Sequence, residues 1–246
     1  KLPDGTYLIT GTKCFISAGD HDLAENIIHP VLARIEGHEP GTKGISIFVV
    51  PKIRFTEDGT LTEPNDVNCG GIESKMGIHG NATCTLNFGE NGKCIGWLMG
   101  EEKQGMPIMF HMMNEERQGV GTMGVALSTT AYLHALSYAK ERFQGVNIME
   151  MKDPNAKQTT IINHPDIRRM LLKMKSMTEA VKILALYCYY AMDRKALAAD
   201  DAEKDKWQGM IEMYTPIVKS YCTDVGDVVT NLAVQTYGGY GFCREY

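Results

Sequence analysis

Over roughly the first hundred positions, apolar and polar residues alternate, and Gly, Pro, Asn or Asp interrupts the alternation every few residues. A period of two places successive side chains on opposite faces of a strand. Tyr7-Leu8-Ile9-Thr10-Gly11-Thr12-Lys13-Cys14-Phe15-Ile16-Ser17 predicts two short strands parted at Gly11. Gly44-Ile45-Ser46-Ile47-Phe48-Val49-Val50, stopped by Pro51, predicts a buried strand from its β-branched and aromatic content. Thr83-Cys84-Thr85-Leu86-Asn87-Phe88 predicts another, ending at Gly89. Strands that follow one another without helical segments between them point to antiparallel pairing in a small barrel or sandwich.

The period changes after Trp97. Gly100-Glu101-Glu102-Lys103-Gln104-Gly105 is a polar turn, and helical spacing dominates from there. Ile167, Met170, Leu171, Met174, Thr178, Val181, Ala185 and Cys188 step by three and four, the stripe of an amphipathic helix. Asn163-His164-Pro165-Asp166 offers that helix a capping side chain and a proline in its first turn. A further helix is expected after Thr215-Pro216, with Ile217, Tyr221, Val225, Val228 and Leu232 on its apolar side and Gly238-Gly239 at its end. Residues 146–162, polar and containing proline, read as a loop. The expected fold class is α+β. An antiparallel β-barrel or sandwich domain covers residues 1–97 and an antiparallel helical bundle covers residues 98–246.

Composition adds mainly exclusions. The chain is 43% hydrophobic and 22% charged over 246 residues, an ordinary globular mixture with enough apolar surface for a core in each domain. Its formal net charge of -5, with no cluster of Lys and Arg, offers no docking face to nucleic acid or to an anionic membrane. The seven cysteines form no CxxC pair and no zinc spacing, which points to reduced thiols in a cytosol-like compartment. Lys1-Leu2-Pro3-Asp4-Gly5 is neither a signal nor a transit peptide and reads as the turn of a hairpin.

Candidate chemistry is sparse. Gly119-Val120-Gly121-Thr122-Met123-Gly124 spells the dinucleotide fingerprint GxGxxG, and Glu141 stands near the distance of a ribose-binding acid. That motif works only when a buried strand runs into the turn. Here the charged, helix-compatible Met112-Met113-Asn114-Glu115-Glu116-Arg117-Gln118 precedes it, so close helix packing through positions 119, 121, 124 and 126 is the preferred reading. No HxxxH, HExxH or GxSxG occurs, so neither a metal site nor a serine nucleophile is expected. Met106, Met109, Met112, Met113 and Met123 are either core filler or the lining of an adaptable apolar pocket.

Four segments, in order and across nearly the whole chain, resemble the acyl-CoA dehydrogenase family. Gly11-Thr12-Lys13-Cys14-Phe15-Ile16-Ser17-Ala18-Gly19 resembles the family's strand beside the flavin ring, with Phe15-Ile16-Ser17 where Trp-Ile-Thr is usual. The resemblance implies that Phe15 shields the isoalloxazine and Ser17 hydrogen-bonds its N5 edge, with Ile16 between them. In Asn114-Glu115-Glu116-Arg117, Asn114 and Arg117 match substrate-binding positions, Arg117 near the pantetheine arm of CoA. In Ala139-Lys140-Glu141-Arg142-Phe143-Gln144-Gly145, Arg142 matches an arginine that reaches the FAD pyrophosphate of a neighbouring subunit. Gln235-Thr236-Tyr237-Gly238-Gly239-Tyr240-Gly241-Phe242 resembles the Gln-x-x-Gly-Gly loop on the adenosine side of FAD, which makes Gln235, Gly238 and Gly239 cofactor-binding candidates. Pro165 stands where the family has a further FAD-contacting glutamine. The run His164-Pro165-Asp166-Ile167-Arg168-Arg169-Met170-Leu171 resembles the branch of 3-methylmercaptopropionyl-CoA dehydrogenases and the adaptive-response alkylation-repair flavoprotein.

The resemblance implies FAD as cofactor and α,β-dehydrogenation of an acyl-CoA thioester, with an electron-transfer flavoprotein as acceptor. A cytoplasmic or mitochondrial-matrix homodimer or homotetramer is implied, with no metal, nucleic-acid or membrane partner. Related chemistries on the same fold stay open: a DNA-repair-associated flavoprotein without dehydrogenase activity, or an acyl-CoA or nitroalkane oxidase. The family's first helical domain and final helices are expected outside these residues. The usual catalytic glutamate is then expected beyond Tyr246, with Glu116 as the alternative base. The isolated segment is accordingly expected to bind FAD poorly and to be inactive.

Overall fold

A computed structural model describes residues 1–246, and contacts within it divide the chain into two compact units, Lys1–Met112 and Met113–Tyr246. The first unit holds nine strands: β1 (Tyr7–Leu8), β2 (Gly11–Ser17), β3 (Ile28–Arg34), β4 (Ile45–Pro51), β5 (Ile53–Phe55), β6 (Leu61–Pro64), β7 (Val67–Ile72), β8 (Thr83–Phe88) and β9 (Ile95–Leu98). They form an antiparallel four-stranded sheet in the order β1-β9-β4-β3, a three-stranded sheet β2-β8-β7, and the separate hairpin β5-β6. The chain break at Gly11 sends β1 and β2 into different sheets, β1 against β9 and β2 against β8. Both sheets turn their apolar sides to one core. Tyr7, Val31, Phe48 and Val50 come from the larger sheet, and Val67, Cys84, Leu86 and Phe88 from the smaller. The result is a sandwich rather than a closed barrel, and Phe48 and Val50 are among its most enclosed side chains.

The pairing of β2 with β8 slips between Lys13 and Ile16. Phe15, in that slip, has φ 58 and is 73% exposed. A bulge of this kind re-aims side chains, and a left-handed backbone is costly for a residue with a bulky Cβ substituent. The strand therefore turns an aromatic ring out of the core at a point where its regular alternation is broken.

The second unit is mainly helical. α1 runs Gly105–Glu141, α2 Pro165–Ala196 and α3 Asp201–Tyr237, and a 3-10 turn over Gly238–Phe242 follows. The first turns of α1 belong to the first unit, where Gly105 lies so close to β4 that a Cβ there would meet the Ser46 carbonyl carbon at 2.5 Å. α2 and α3 are joined by a short link and pack along their length, and the core they share with α1 includes Met174, Val181, Cys188, Val218, Cys222 and Val229. The α2 stripe read from sequence is the buried one, from Met170 to Cys188.

Several local expectations need correction. The last helix does not begin after Pro216 but at Asp201, since α3 spans 37 residues with Pro216 inside it. Asp200 explains the true start, because its side chain accepts from the Glu203 N–H at 2.8 Å, a cap contributing about 1 kcal/mol. The buried face of α3 differs in part from that expected: Val225 is buried and Val228 and Leu232 half-buried as expected, but Val218, Cys222 and Val229 are enclosed instead of Ile217 and Tyr221, which are exposed. At the start of α2, His164 occupies the cap position without a side-chain cap bond, and only Pro165 in the first turn follows the expected pattern. The His164 Nε2 is instead engaged with the Gln144 carbonyl at 2.7 Å. Finally, the stretch read as loop carries most of a two-stranded hairpin, β10 (Phe143–Val146) with β11 (Gln158–Thr160), whose strands are too short for periodicity to reveal.

The GxGxxG run lies inside α1, with no strand before it. A Cβ on Gly121 would meet Val218 Cγ1 at 2.5 Å and one on Gly124 the Cys222 carbonyl oxygen at 2.5 Å. Both glycines let α1 and α3 approach at backbone distance. Gly119 meets nothing and is exposed, as is Ala126, so only two of the four small positions serve packing.

Candidate functional site

Two cavities, one in each unit, collect most of the residues singled out from sequence. The cavity of the second unit, about 620 Å³, is lined by Arg142, Gln235, Gly238 and Gly239, together with Tyr138, His164, Tyr237 and Tyr240. Arg142 follows α1 directly. Its N–H donates to the Tyr138 carbonyl and its own carbonyl accepts from the Ile161 N–H, both at 2.8 Å, which fixes the backbone at this corner beside the β10–β11 hairpin. The guanidinium lies 5.3 Å from the centroid of the Tyr240 ring. Tyr138 and Tyr237 stack, with centroids 4.2 Å apart and planes within 12°.

The glycines at the end of α3 do different things. Gly238 closes the helix at φ 61, where its N–H bonds the Gln235 carbonyl. Neither Gly238 nor Gly239 has an atom within 4 Å of where a Cβ would stand, so bare backbone faces the open cavity. A Cβ on Gly241, by contrast, would collide with the Val234 carbonyl oxygen, which makes that glycine a requirement of the chain's own packing. The lining holds one guanidinium and no carboxylate. Bare backbone, one fixed cation and flat aromatic faces suit a ligand that carries both phosphate and a planar ring. The residues present therefore fit the pyrophosphate and adenosine portion of a dinucleotide such as FAD.

The cavity of the first unit, about 460 Å³, is lined by Phe15, Ile16 and Ser17 of β2, by β3 from Ile28 to Leu32, and by Met109 and Met112 of α1. The Lys13 ammonium at its edge donates to the Leu32 carbonyl at 2.9 Å. Of the methionines considered for a pocket, Met109 and Met112 line this one, and Met106, Met113 and Met123 do not. The bulge explains how an aromatic ring, an aliphatic side chain and a hydroxyl in succession all reach one cavity. These walls suit a flat, largely apolar ring with a few polar edge atoms.

Asn114, Glu116 and Arg117 sit on α1 and line neither cavity. Arg117 Nη1 donates to Asn114 Oδ1 at 3.4 Å, so the two substrate-binding candidates share one turn of the helix, and Glu116 beside them is exposed. Next to Arg117, Gln118 is buried and its amide reaches Cys188 Sγ and Thr215 Oγ1, a polar knot joining the three helices. Sequence reading missed Tyr138, His164, Tyr237 and Tyr240 as cavity residues. Tyr237 and Tyr240 flank the Gly238-Gly239 pair, and that spacing was the one available signal.

Residues 103–246 match the family described as acyl-CoA dehydrogenase, C-terminal domain. A butyryl-CoA dehydrogenase of Syntrophomonas wolfei is 46% identical over 98% of this chain, and a 3-methylmercaptopropionyl-CoA dehydrogenase of Ruegeria pomeroyi is 41% identical over 98%. The chain spans 40% of the length of each of these curated relatives. The solved butyryl-CoA dehydrogenase of Megasphaera elsdenii superposes on all of it with a TM-score of 0.72 at 28% identity, over 54% of that structure's chain. The sandwich of strands, the helical bundle and the family match together establish that this chain belongs to the acyl-CoA dehydrogenase family.

Proposed function

We propose that the protein carrying this chain is an FAD-dependent dehydrogenase that introduces an α,β double bond into an acyl-CoA thioester. The observation that carries the reading is the convergence of Arg142 with Gln235, Gly238 and Gly239 on one cavity, although they come from the end of α1 and the end of α3. The similarity to proteins named for butyryl-CoA and 3-methylmercaptopropionyl-CoA supports a short acyl chain as the substrate class. Within this reading, residues 1–97 act as the β domain that faces a flavin ring, and residues 98–246 as the helical domain whose Arg142 cavity holds the pyrophosphate and adenosine of a neighbouring subunit's cofactor.

FAD, when bound, supplies the acceptor for the β hydrogen and hands the electrons to an electron-transfer flavoprotein. This chain's residues bind and orient. Arg142 neutralises pyrophosphate charge as a planar, always-charged donor. Gly238 and Gly239 give that group backbone access, and Gln235 offers an amide beside them. Phe15 covers a ring face, Ile16 fills beneath it, and the Ser17 hydroxyl serves a polar ring edge. Asn114 and Arg117 hold the CoA arm. A homo-oligomer follows from the family arrangement in which the Arg142 position serves a neighbour's cofactor.

The test is the visible spectrum of the whole protein under anaerobic conditions, with a panel of acyl-CoA thioesters. A flavin band that bleaches with a short-chain thioester is expected; a band that none of them bleaches overturns the reading. On this reading the base is the glutamate that the family resemblance expects beyond Tyr246, with Glu116 as the alternative, so Glu116→Gln should retain both FAD and turnover. Loss of turnover with FAD still bound would assign the base to Glu116.

A further inference from the structure

His164 forms part of the wall of the cavity in the second unit, and one bond sets its chemistry there. Its Nε2 lies 2.7 Å from the Gln144 carbonyl oxygen, which can only accept, so Nε2 carries the proton. Nδ1 of the same ring makes no cap bond to α2 and, unlike Nδ1 of His38, is not buried. The ring is therefore anchored at one nitrogen, and the edge it leaves open carries the other. In a neutral ring that open nitrogen accepts a hydrogen bond; in a protonated ring it donates one, and the Gln144 bond survives both states.

The charges around the ring favour one use of this freedom. The end of α1 brings the Arg142 guanidinium and the Tyr138 phenol to the cavity. The end of α3 and the turn after it bring the phenols of Tyr237 and Tyr240 and the Cys243 thiol. Along α2, Asp166 is paired with Arg169, and Arg168 is bonded to the Ile162 carbonyl and to Asn163. No carboxylate lines the cavity, so His164 has no resident counter-ion there. While the cavity is empty, Arg142 and the positive end of α2 both oppose a second cation beside them. A pyrophosphate bridge carries two negative charges, of which Arg142 matches one. Histidine is the side chain that changes charge across neutral pH, and His164 is the one histidine of this lining.

We propose that His164 is an anion-contacting residue of this cavity, whose Nδ1 takes up a proton as a pyrophosphate binds and donates it in a hydrogen bond. The proposal rests on the reading that the cavity takes the pyrophosphate of FAD. The proton comes from solvent and returns there when the cofactor leaves. Cofactor binding and protonation are then linked, each strengthening the other by the same factor.

The experiment measures FAD affinity of the whole apoprotein at pH 5.5 and pH 8, between which FAD itself neither gains nor loses a proton. Calorimetry in two buffers of different ionisation heat counts protons taken up on binding, and the apoprotein melting temperature is read alongside. Wild type should bind about tenfold more tightly at the lower pH, the effect of one charge-assisted hydrogen bond, with net proton uptake. His164→Gln keeps a donor for the Gln144 carbonyl but cannot charge, so its two affinities should agree within about twofold, without that proton. A flat wild-type profile with FAD bound and no proton taken up overturns the proposal and leaves the cofactor reading intact. So does a His164→Gln protein that keeps the wild-type dependence, which places the titrating group elsewhere. If His164→Gln lowers the melting temperature, His164→Asn, which returns a capping side chain to the start of α2, carries the same comparison. A wild type that takes up no FAD at either pH removes the cofactor reading and the proposal together.

Discussion

Glu203 shows how much a single side chain can depend on its setting. Its carboxylate accepts from Arg194 Nη2 at 2.6 Å, from the Ala199 N–H at 3.2 Å and from Trp207 Nε1 at 3.3 Å. Those bonds, Arg194's first, hold its pKa down to about 2 from an ordinary 4.5. A carboxylate whose folded value is depressed stabilises the fold above its unfolded value, and that contribution is lost as pH falls through the folded one. The melting-temperature gap between wild type and Glu203→Gln should therefore be constant above pH 4.5 and close as the pH falls toward 2. A gap that ignores pH would show that the three bonds contribute nothing in solution. The pairing itself was not legible in the sequence. Arg194 and Glu203 lie on different helices, and only the position of the α2–α3 link, set by the Asp200 cap, brings them together.

At the scale of elements, the three long helices are told apart by what their small residues do. Gly121 and Gly124 pack on α3, whereas Gly119, two residues before Gly121, points into open space. Substitution by alanine should then have opposite signs along a single helix. Gly121→Ala and Gly124→Ala should each destabilise by about 1–3 kcal/mol through overpacking. Gly119→Ala should stabilise by about 0.5–1 kcal/mol through lower backbone entropy in the unfolded chain. Chemical denaturation midpoints decide this, and equal effects at all three positions would refute the close approach of α1 and α3. The packing reading of this run was available from sequence because no strand precedes it. Which glycines carry it was not, since that depends on the rotation of α3. The same rotation defeated part of the expected apolar face of α3: a stripe begun at Ile217 and one begun at Val218 are both regular, and only the partner helices choose between them.

For the molecule as a whole, the change from period two to helical spacing near residue 98 marked the order of β and α elements, because both signals are local. The two cavities were legible only through the resemblance, since each joins residues far apart in sequence. No helix is long and apolar enough to cross a membrane, and no three His, Cys, Asp or Glu side chains gather where they could hold a metal ion. Chelation by EDTA should accordingly leave the melting temperature unchanged, and a fall would expose a metal site that the fold gives no sign of.

The bulge at Phe15 has a consequence for how this chain tolerates change. At φ 58 the backbone itself favours glycine or asparagine, which tolerate the left-handed region better than a bulky aromatic does. Under the proposed function, stability and coverage of the flavin ring pull this position in opposite directions. Selection for heat resistance alone should enrich Phe15→Gly, whereas selection for cofactor retention should keep the phenylalanine or move it to tryptophan. On that proposal, a library selected first for heat resistance and then for cofactor retention should change residue 15 in opposite directions.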